Sequence, residues 1–138
     1  MPLLQRHWRE IALFQDKVPL DPNFEAYYDY ERNNQLAVLV ARSKGMMVGY
    51  DAYIVGPMLH YRSTLGAKND IFWLDPAFRG GWDGVRMFKE AERGLKRLGV
   101  KVVFHGPKLH FENGRVVELL KRLGHVPIET VTAKWIGD

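Results

Sequence analysis

Cysteine is absent from the 138 residues, which excludes disulfides, zinc thiolate sites and cysteine nucleophiles. Serine is scarce. Ser43 and Ser63 lie outside any G-x-S-x-G, so serine-hydrolase chemistry has no support. Long apolar runs are missing too, since "LAVLVA" falls far short of a membrane span. The start, "MPLLQRHWRE", lacks the basic segment and long apolar stretch of a signal peptide, and a cytoplasmic protein with no membrane partner is expected. Neither charge sign dominates. Twenty basic against sixteen acidic residues leave +4, which suits a polyanionic ligand but is too mild to demand nucleic acid. There is no repeat, low-complexity tract or linker. With 46% hydrophobic and 12% aromatic residues, the chain can build one domain with a real core, expected over residues 1–138.

The periodicity places the elements. Leu4, Trp8, Ile11 and Ala12 share one helical face, and a second helix groups Phe24, Tyr27 and Tyr28 after Asp21 as N-cap and Pro22 at its first position. These N-terminal helices span 3–34. The period then changes. "LAVLVAR" (36–42) and "MMVGYDAYIVG" (46–56) read as a hairpin around "SKG", "HYRSTLGAKN" as a polar loop, and "DIFWLDP" (70–76) as a third strand. An amphipathic helix follows with Val85, Phe88, Ala91, Leu95 and Leu98 inward, stopped by Gly99. "VKVVFHG" (100–106) is a fourth strand, "ENGRVVELLKRLG" a short helix, and "VPIETVTAKWI" (126–136) a last strand. The order predicts an α/β (α+β) fold whose mostly antiparallel sheet contains one parallel pair, made by the crossover helix between the third and fourth strands.

At that crossover stands "LDPAFRGGWDGVRMF" (74–88), where a strand runs through a glycine loop straight into a helix. Such a junction points backbone N–H groups at one spot, where the helix dipole adds positive potential. Glycines let the main chain approach a phosphate closely. The same glycines also fit a tight turn that needs positive φ. A Walker loop is excluded because no Gly-Lys-Ser/Thr is present, and the dinucleotide fingerprint by the spacing Gly80, Gly81, Gly84.

The stretch "DPAFRGGWDG" resembles the acetyl-CoA loop of the GNAT (GCN5-related) N-acetyltransferases, Arg/Gln-x-x-Gly-x-Gly/Ala after a strand ending in x-x-Pro. Arg79 takes its first position, Gly84 its last, and Asp75 and Pro76 the lead-in. Trp82 stands where the family usually has glycine. The element order and "N-x-x-V-x-x-L-L-x-x-L-G" (113–124) are similar to the family's second half, and the likeness covers roughly 36–136. "HYRSTLGAKNDIFWLDPAFRG" also looks like short GNAT proteins of tailed phages. The resemblance implies a GNAT-type sheet with a splayed parallel pair, acetyl-CoA as cosubstrate, and an amine acceptor that it does not identify. It implies that Arg79, Gly80, Gly81, Trp82, Asp83, Gly84 and Val85 cradle the pyrophosphate. It further implies that the backbone of Phe72, Trp73 and Leu74 bonds the pantetheine arm, which Asn113 contacts unless it is a helix cap. Where the family often has a Tyr that protonates the leaving thiolate, this chain has Leu120.

Transfer to an amine requires a group that takes a proton. Asp70, His60 and His110 are the catalytic candidates, with Tyr61, His105 and Glu112 nearby in sequence; each also fits a structural role. Asp70 has the best case because it begins the strand that borders cofactor and acceptor. Mid-strand Asp51 reads equally as outward-facing or as an acceptor-cleft residue. Two histidines five apart around Gly-Pro lack zinc-site spacing, and no metal is expected. Arg86, Lys89, Arg93 and Arg97 line one face of the central helix, either as a solvated face, as contacts for the CoA ribose phosphate, or as a nucleic-acid surface. The favoured reading is an acetyltransferase acting by direct attack, compatible with a homodimer. The alternatives are a degenerate CoA-binding scaffold with a regulatory role and a nucleic-acid-binding adaptor.

Overall fold

The computed structural model describes residues 2–138, which form two compact units, one of residues 2–22 with 106–138 and one spanning Asn23–His105. No helix among the described residues is long and apolar enough to cross a membrane.

The larger unit is a four-stranded mixed sheet in the order β1 (Leu36–Ser43), β2 (Met46–Met58), β3 (Tyr61–Leu74), β4 (Val102–Phe104). β1–β2 and β2–β3 pair antiparallel, β3–β4 parallel. Helices α2 (Phe24–Arg32) and α3 (Asp83–Arg97) belong to the same unit. The sheet presents Tyr53, Val55 and Ala67 to Ala91 and Leu95 of α3 and to Val100, with Ala37, Leu39, Leu65 and Val103 packed around them. The helical period and the strand period thus meet in one core. Met87 and Phe88 are buried beside Ala91 and Leu95, whereas Leu98, expected inward, is exposed because α3 has ended there.

Two expectations are corrected here. "HYRSTLGAKN" is strand: residues 61–69 lie in β3, with Leu65 and Ala67 inward at a spacing of two, and the polar residues on either side of them hide the alternation. The second helix is capped by Asn23, whose Oδ1 accepts from the Ala26 amide at 3.0 Å, so neither Asp21 nor Pro22 has the expected position.

A register shift between Ala52 and Tyr53 leaves Asp70 as an extra residue in β3: Ala52 faces Ile71, and Tyr53 faces Asn69. A bulge of this kind reverses the side-chain alternation beyond it. Consequently Asn69 lies opposite Tyr53 while Phe72 lies opposite Asp51, and Phe72 stacks on Phe88 of α3 with ring centroids 4.4 Å apart. On the opposite parity, Tyr50 and Trp73 stack at 6.0 Å.

The smaller unit contains α1 (Pro2–Ile11) and α4 (Arg115–Arg122). Within α1 the buried residue is His7, while Leu4, Trp8 and Ile11 are half-buried. Gln15 closes the helix end by donating to the carbonyls of Trp8, Arg9 and Ala12. The expected last strand is absent, and 126–136 carries no regular structure. Its apolar residues Val126, Ile128, Val131 and Ile136 break the period of two between 128 and 131, and Pro127 lacks a ladder donor.

Candidate active site

β3 and β4 pair over Gly66–Val102, Ala67–Val103 and Lys68–Phe104 only. β3 then continues through Asn69 to Leu74 with β2 alone beside it, so main-chain groups on its β4 side have no strand to bond. This is the expected splay. Phe72, Trp73 and Leu74 all lie on the stretch beyond the last β4 pairing.

At the far end of that edge, Pro76–Phe78 form a single 3-10 turn capped by Asp75, whose Oδ1 accepts from the Ala77 amide at 2.9 Å. The Arg79 side chain folds back. Its Nε donates to the Leu74 carbonyl at 2.7 Å and its guanidinium lies over the Trp73 ring, which anchors the loop to the strand. Gly80 has φ +84 and fits the turn reading. Gly81 does not: its φ is ordinary, and a Cβ there would meet nothing within 4 Å. The fold therefore does not require glycine at 81, whereas a ligand lying against the main chain would. The first helical bond of α3 runs from the Arg86 amide to the Trp82 carbonyl at 2.9 Å, leaving the Asp83, Gly84 and Val85 amides at an open helix start. Trp82 adopts φ −89 and is 76% exposed, so the residue that departs from the glycine pattern is unstrained and points outward. Together these residues fit a pyrophosphate cradle.

At the near end, where β3 and β4 part, a polar network is buried in the sheet. Asp51 is fully buried and Tyr53 nearly so. The Tyr53 hydroxyl donates to Asp51 Oδ2 at 2.7 Å, and Asn69 Nδ2 donates to Asp51 Oδ1 at 2.7 Å. His105, the residue after β4, brings Nε2 to 2.9 Å from the Tyr53 oxygen. Its ring sits edge-on to both Tyr53 and Phe88, at 5.4 and 5.2 Å. Burial pushes the Asp51 carboxyl up from 3.8 to about 7, against the opposing effect of its bonds from Tyr53 and Asn69. The Tyr53 hydroxyl is pushed well above its ordinary value by burial, then by the charge and hydrogen bond of Asp51.

The sequence candidates are dispersed. Asp70 occupies the bulge, exposed, and accepts a hydrogen bond from the Tyr27 hydroxyl of α2. Tyr27 is pushed up to about 12 by burial first and by Asp70 second, so it serves as a neutral donor. His60 and Tyr61 lie at the β2–β3 turn, eight or nine residues before Asn69, which is about 27 Å along a strand. His110 belongs to the smaller unit, where its Nε2 lies 2.9 Å from the Ile11 carbonyl. Asn113 also belongs there, in a left-handed conformation (φ +54) just before α4, and makes no helix cap. Leu120 is buried in α4. Among the described residues no cluster of three or more His, Asp or Glu is arranged to hold a metal. The four cations of α3 are exposed, Arg93 pairing with Glu90 and Arg86 standing 4.0 Å from Asp83.

Sequence reasoning left Asp51 undecided and passed over Tyr53 and Asn69. A signal was present: Asp51, Tyr53 and Val55 share a strand face, and an acid on a face that otherwise carries an aromatic and a β-branched residue points to an internal polar partner.

No family model matches the sequence, and no curated protein matches it. Solved structures do. An aminoglycoside acetyltransferase from an uncultured soil metagenomic sample superposes with a TM-score of 0.75 at 14% identity, covering 99% of this chain and 89% of its own. The ribosomal-protein-alanine N-acetyltransferase of Brucella melitensis biovar Abortus 2308 gives 0.68 at 14% identity over 99% and 89%. The aminoglycoside N-acetyltransferase AAC(6')-Iy, solved with CoA, gives 0.65 at 14% identity over 100% and 96%. The chain has the fold of these N-acetyltransferases.

Proposed function

We propose that the protein is a GNAT-type N-acetyltransferase that transfers the acetyl group of acetyl-CoA to an amine by direct attack, as one domain over 1–138. One observation carries the reading: the part of β3 that runs on beyond its pairing with β4 joins the open helix start at Gly80–Val85 to the buried network at the parting of the strands. An arm anchored by its pyrophosphate at the loop and laid along 69–74 delivers its thioester to the bulge. The edge from Asn69 to Leu74 is about 17 Å long at strand spacing.

In this reading the amides of Gly80–Val85 hold the pyrophosphate, and Arg79 acts through the loop it anchors. The backbone of Phe72, Trp73 and Leu74 bonds the pantetheine, and the resemblance adds Asn113 as a further contact. Acetyl-CoA supplies the activated acyl group. The protein supplies position and oriented dipoles, with no covalent enzyme intermediate. Asp70, held by Tyr27 at the bulge, faces solvent and receives the amine as its ammonium, with proton acceptance as a second role. His60 and His110 are the further candidates for the proton-accepting role. The acceptor is an amine carried by a small molecule or a protein. Aminoglycosides and the ribosomal-protein alanine named in the similar structures are the first to try. Cytoplasmic action and kinship with phage-encoded proteins belong to the same reading.

The test is a thermal-shift screen of CoA compounds followed by incubation with labelled acetyl-CoA and a panel of primary amines. The expected result is stabilisation by CoA and label transfer to at least one amine. Stabilisation without transfer to any amine, including those of a cell extract, favours the CoA-binding scaffold instead, the reading that Leu120 in place of a tyrosine motivates.

A further inference from the structure

We propose that Asp51, Tyr53 and His105 form a proton relay, running from the parting of β3 and β4 to the buried Asp51 carboxylate, that takes up the proton released when the amine is acetylated. The proposal deepens the acetyltransferase reading and rests on it for the proton's origin.

The hydrogen-bond direction follows from counting protons. A tyrosine hydroxyl has one hydrogen, and the Tyr53 hydrogen goes to Asp51 Oδ2 at 2.7 Å. The Tyr53 oxygen, 2.9 Å from His105 Nε2, then accepts, so Nε2 carries hydrogen. The chain reads His105 Nε2–H to Tyr53 Oη–H to Asp51 Oδ2, with every donor aimed inward. Asn69 holds Oδ1 from the other side and fixes the carboxylate rotamer. His105 is the half-buried member, and it stands immediately beyond the last paired residue of β4, Phe104.

The groups that bond Asp51 are Tyr53 from β2 and Asn69 from β3, and His105 from beyond β4 bonds Tyr53; from α3, Glu92 adds negative charge near Tyr53. Among the described residues no Lys or Arg pairs with Asp51. A carboxylate so placed gains by taking a proton near neutral pH, which agrees with the upward push that burial gives it.

The ammonium held at Asp70 first loses one proton to solvent; the neutral amine nitrogen then attacks the thioester carbon, the C–N bond forms, the C–S bond breaks and CoA leaves as the thiolate. One amine proton reaches His105 Nδ1, directly or through a bridging water or carboxylate. Nε2–H passes to the Tyr53 oxygen, and Tyr53 passes its own hydrogen to Asp51 Oδ2. Return of that proton along the same path to the thiolate or to water restores the starting state. An acid is thereby available although Leu120 stands where the family often has tyrosine. Tyr53 and Asp51 do not touch the reacting atoms in this scheme; they are positioning and storage groups behind His105.

The test uses the whole chain, labelled with ¹³C at aspartate carboxyls and ¹⁵N at histidine, titrated from about pH 5 to about pH 9. We expect the Asp51 carboxyl to report a midpoint near 7, with a step at the same pH in the His105 nitrogen shifts, and Tyr53→Phe to move the Asp51 midpoint by at least about half a pH unit. Should Tyr53→Phe fold poorly, Asp51→Asn gives the same readout by removing that step from the His105 shifts. Midpoints that ignore both substitutions overturn the relay. Transfer of labelled acetyl to the amine panel is followed in parallel. Where the wild type transfers, Asp51→Asn should lower kcat about ten- to a hundred-fold, keep KM for acetyl-CoA, and flatten the acid limb of the kcat profile. An unchanged limb overturns the relay. A wild type that binds CoA and transfers to no amine overturns the acetyltransferase reading, and the titration then decides the relay alone.

Discussion

Asp51 and Asp70 stand on neighbouring strands within two residues of the same bulge, yet the fold treats them oppositely. Asp51 is fully buried with both carboxyl oxygens bonded, to Tyr53 and Asn69. Asp70 lies exposed at the bulge and meets the sheet's surroundings through Tyr27. The difference is one of parity. An uninterrupted β3 would place Asn69 and Phe72 on opposite faces; the inserted residue puts both on the α3 side, where one satisfies Asp51 and the other stacks on Phe88. Asp70 thus matters to the fold as an extra residue and Asp51 as a carboxylate.

Removing the Phe72 ring, which the bulge directs to the α3 side, is the harshest way to break that contrast. Phe72→Ala takes away the ring stacked on Phe88, and we expect a loss of about 3 kcal/mol in urea unfolding, whereas deleting Asp70 closes the ladder with Asn69 and Phe72 still on one face and costs less. A Phe72→Ala mutant with wild-type stability would show that the packing set by the bulge carries no structural weight.

The second expected effect is on pH dependence. Because the folded pKa of Asp51 is raised above its unfolded value, its contribution is fully present below about pH 4 and is lost as pH rises through about 7. The loss has an upper bound of about 4 kcal/mol. Asp51→Asn should abolish this slope and exceed the wild type in stability at about pH 8, whereas Asp70→Asn should leave the slope intact. Urea midpoints at about pH 5 and about pH 8 decide the matter.

Smaller again is the cost of removing the buried acceptor outright. At about pH 5, Asp51→Ala orphans the Tyr53 hydroxyl and one Asn69 amide hydrogen, for about 2 kcal/mol. Asp70→Ala should stay within about 0.5 kcal/mol of wild type, as exposed substitutions do. In the enzyme assay the order of effects separates by parameter. Asp70→Asn should raise the acceptor KM by about three- to tenfold with kcat nearly kept, since it removes a charge that receives an ammonium. A fall in kcat alone would return Asp70 to the role of base.

Much of this was legible in the sequence. The helical period of 83–97, the hairpin at 44–45 and the parallel pair were all readable from alternation and glycine placement, and so was the junction at 74–85. The bulge was not readable, because a single inserted residue leaves no mark until a partner strand sets the register. Asp51 therefore stayed ambiguous, and Tyr53 read as one more strand aromatic. The stretch 61–69 hid as a loop because only Leu65 and Ala67 mark its core face, while polar residues flank them on both sides and one of these, Asn69, faces inward to Asp51. The segment 126–136 misled in the other direction, offering strand-forming residues whose spacing does not hold one face.

Both carboxylates acquire a chemical role only if the cofactor reaches them from the glycine loop, so the central claim is tested most directly by isothermal titration of the wild-type chain with acetyl-CoA. The account predicts one site per chain, displacement by CoA, and far weaker heats with NAD or ATP. It also predicts that Gly84→Asp, which adds bulk and negative charge at the open start of α3, weakens binding at least about a hundredfold while circular dichroism stays close to wild type. Absence of heat at millimolar acetyl-CoA, or binding that Gly84→Asp leaves intact, would contradict it.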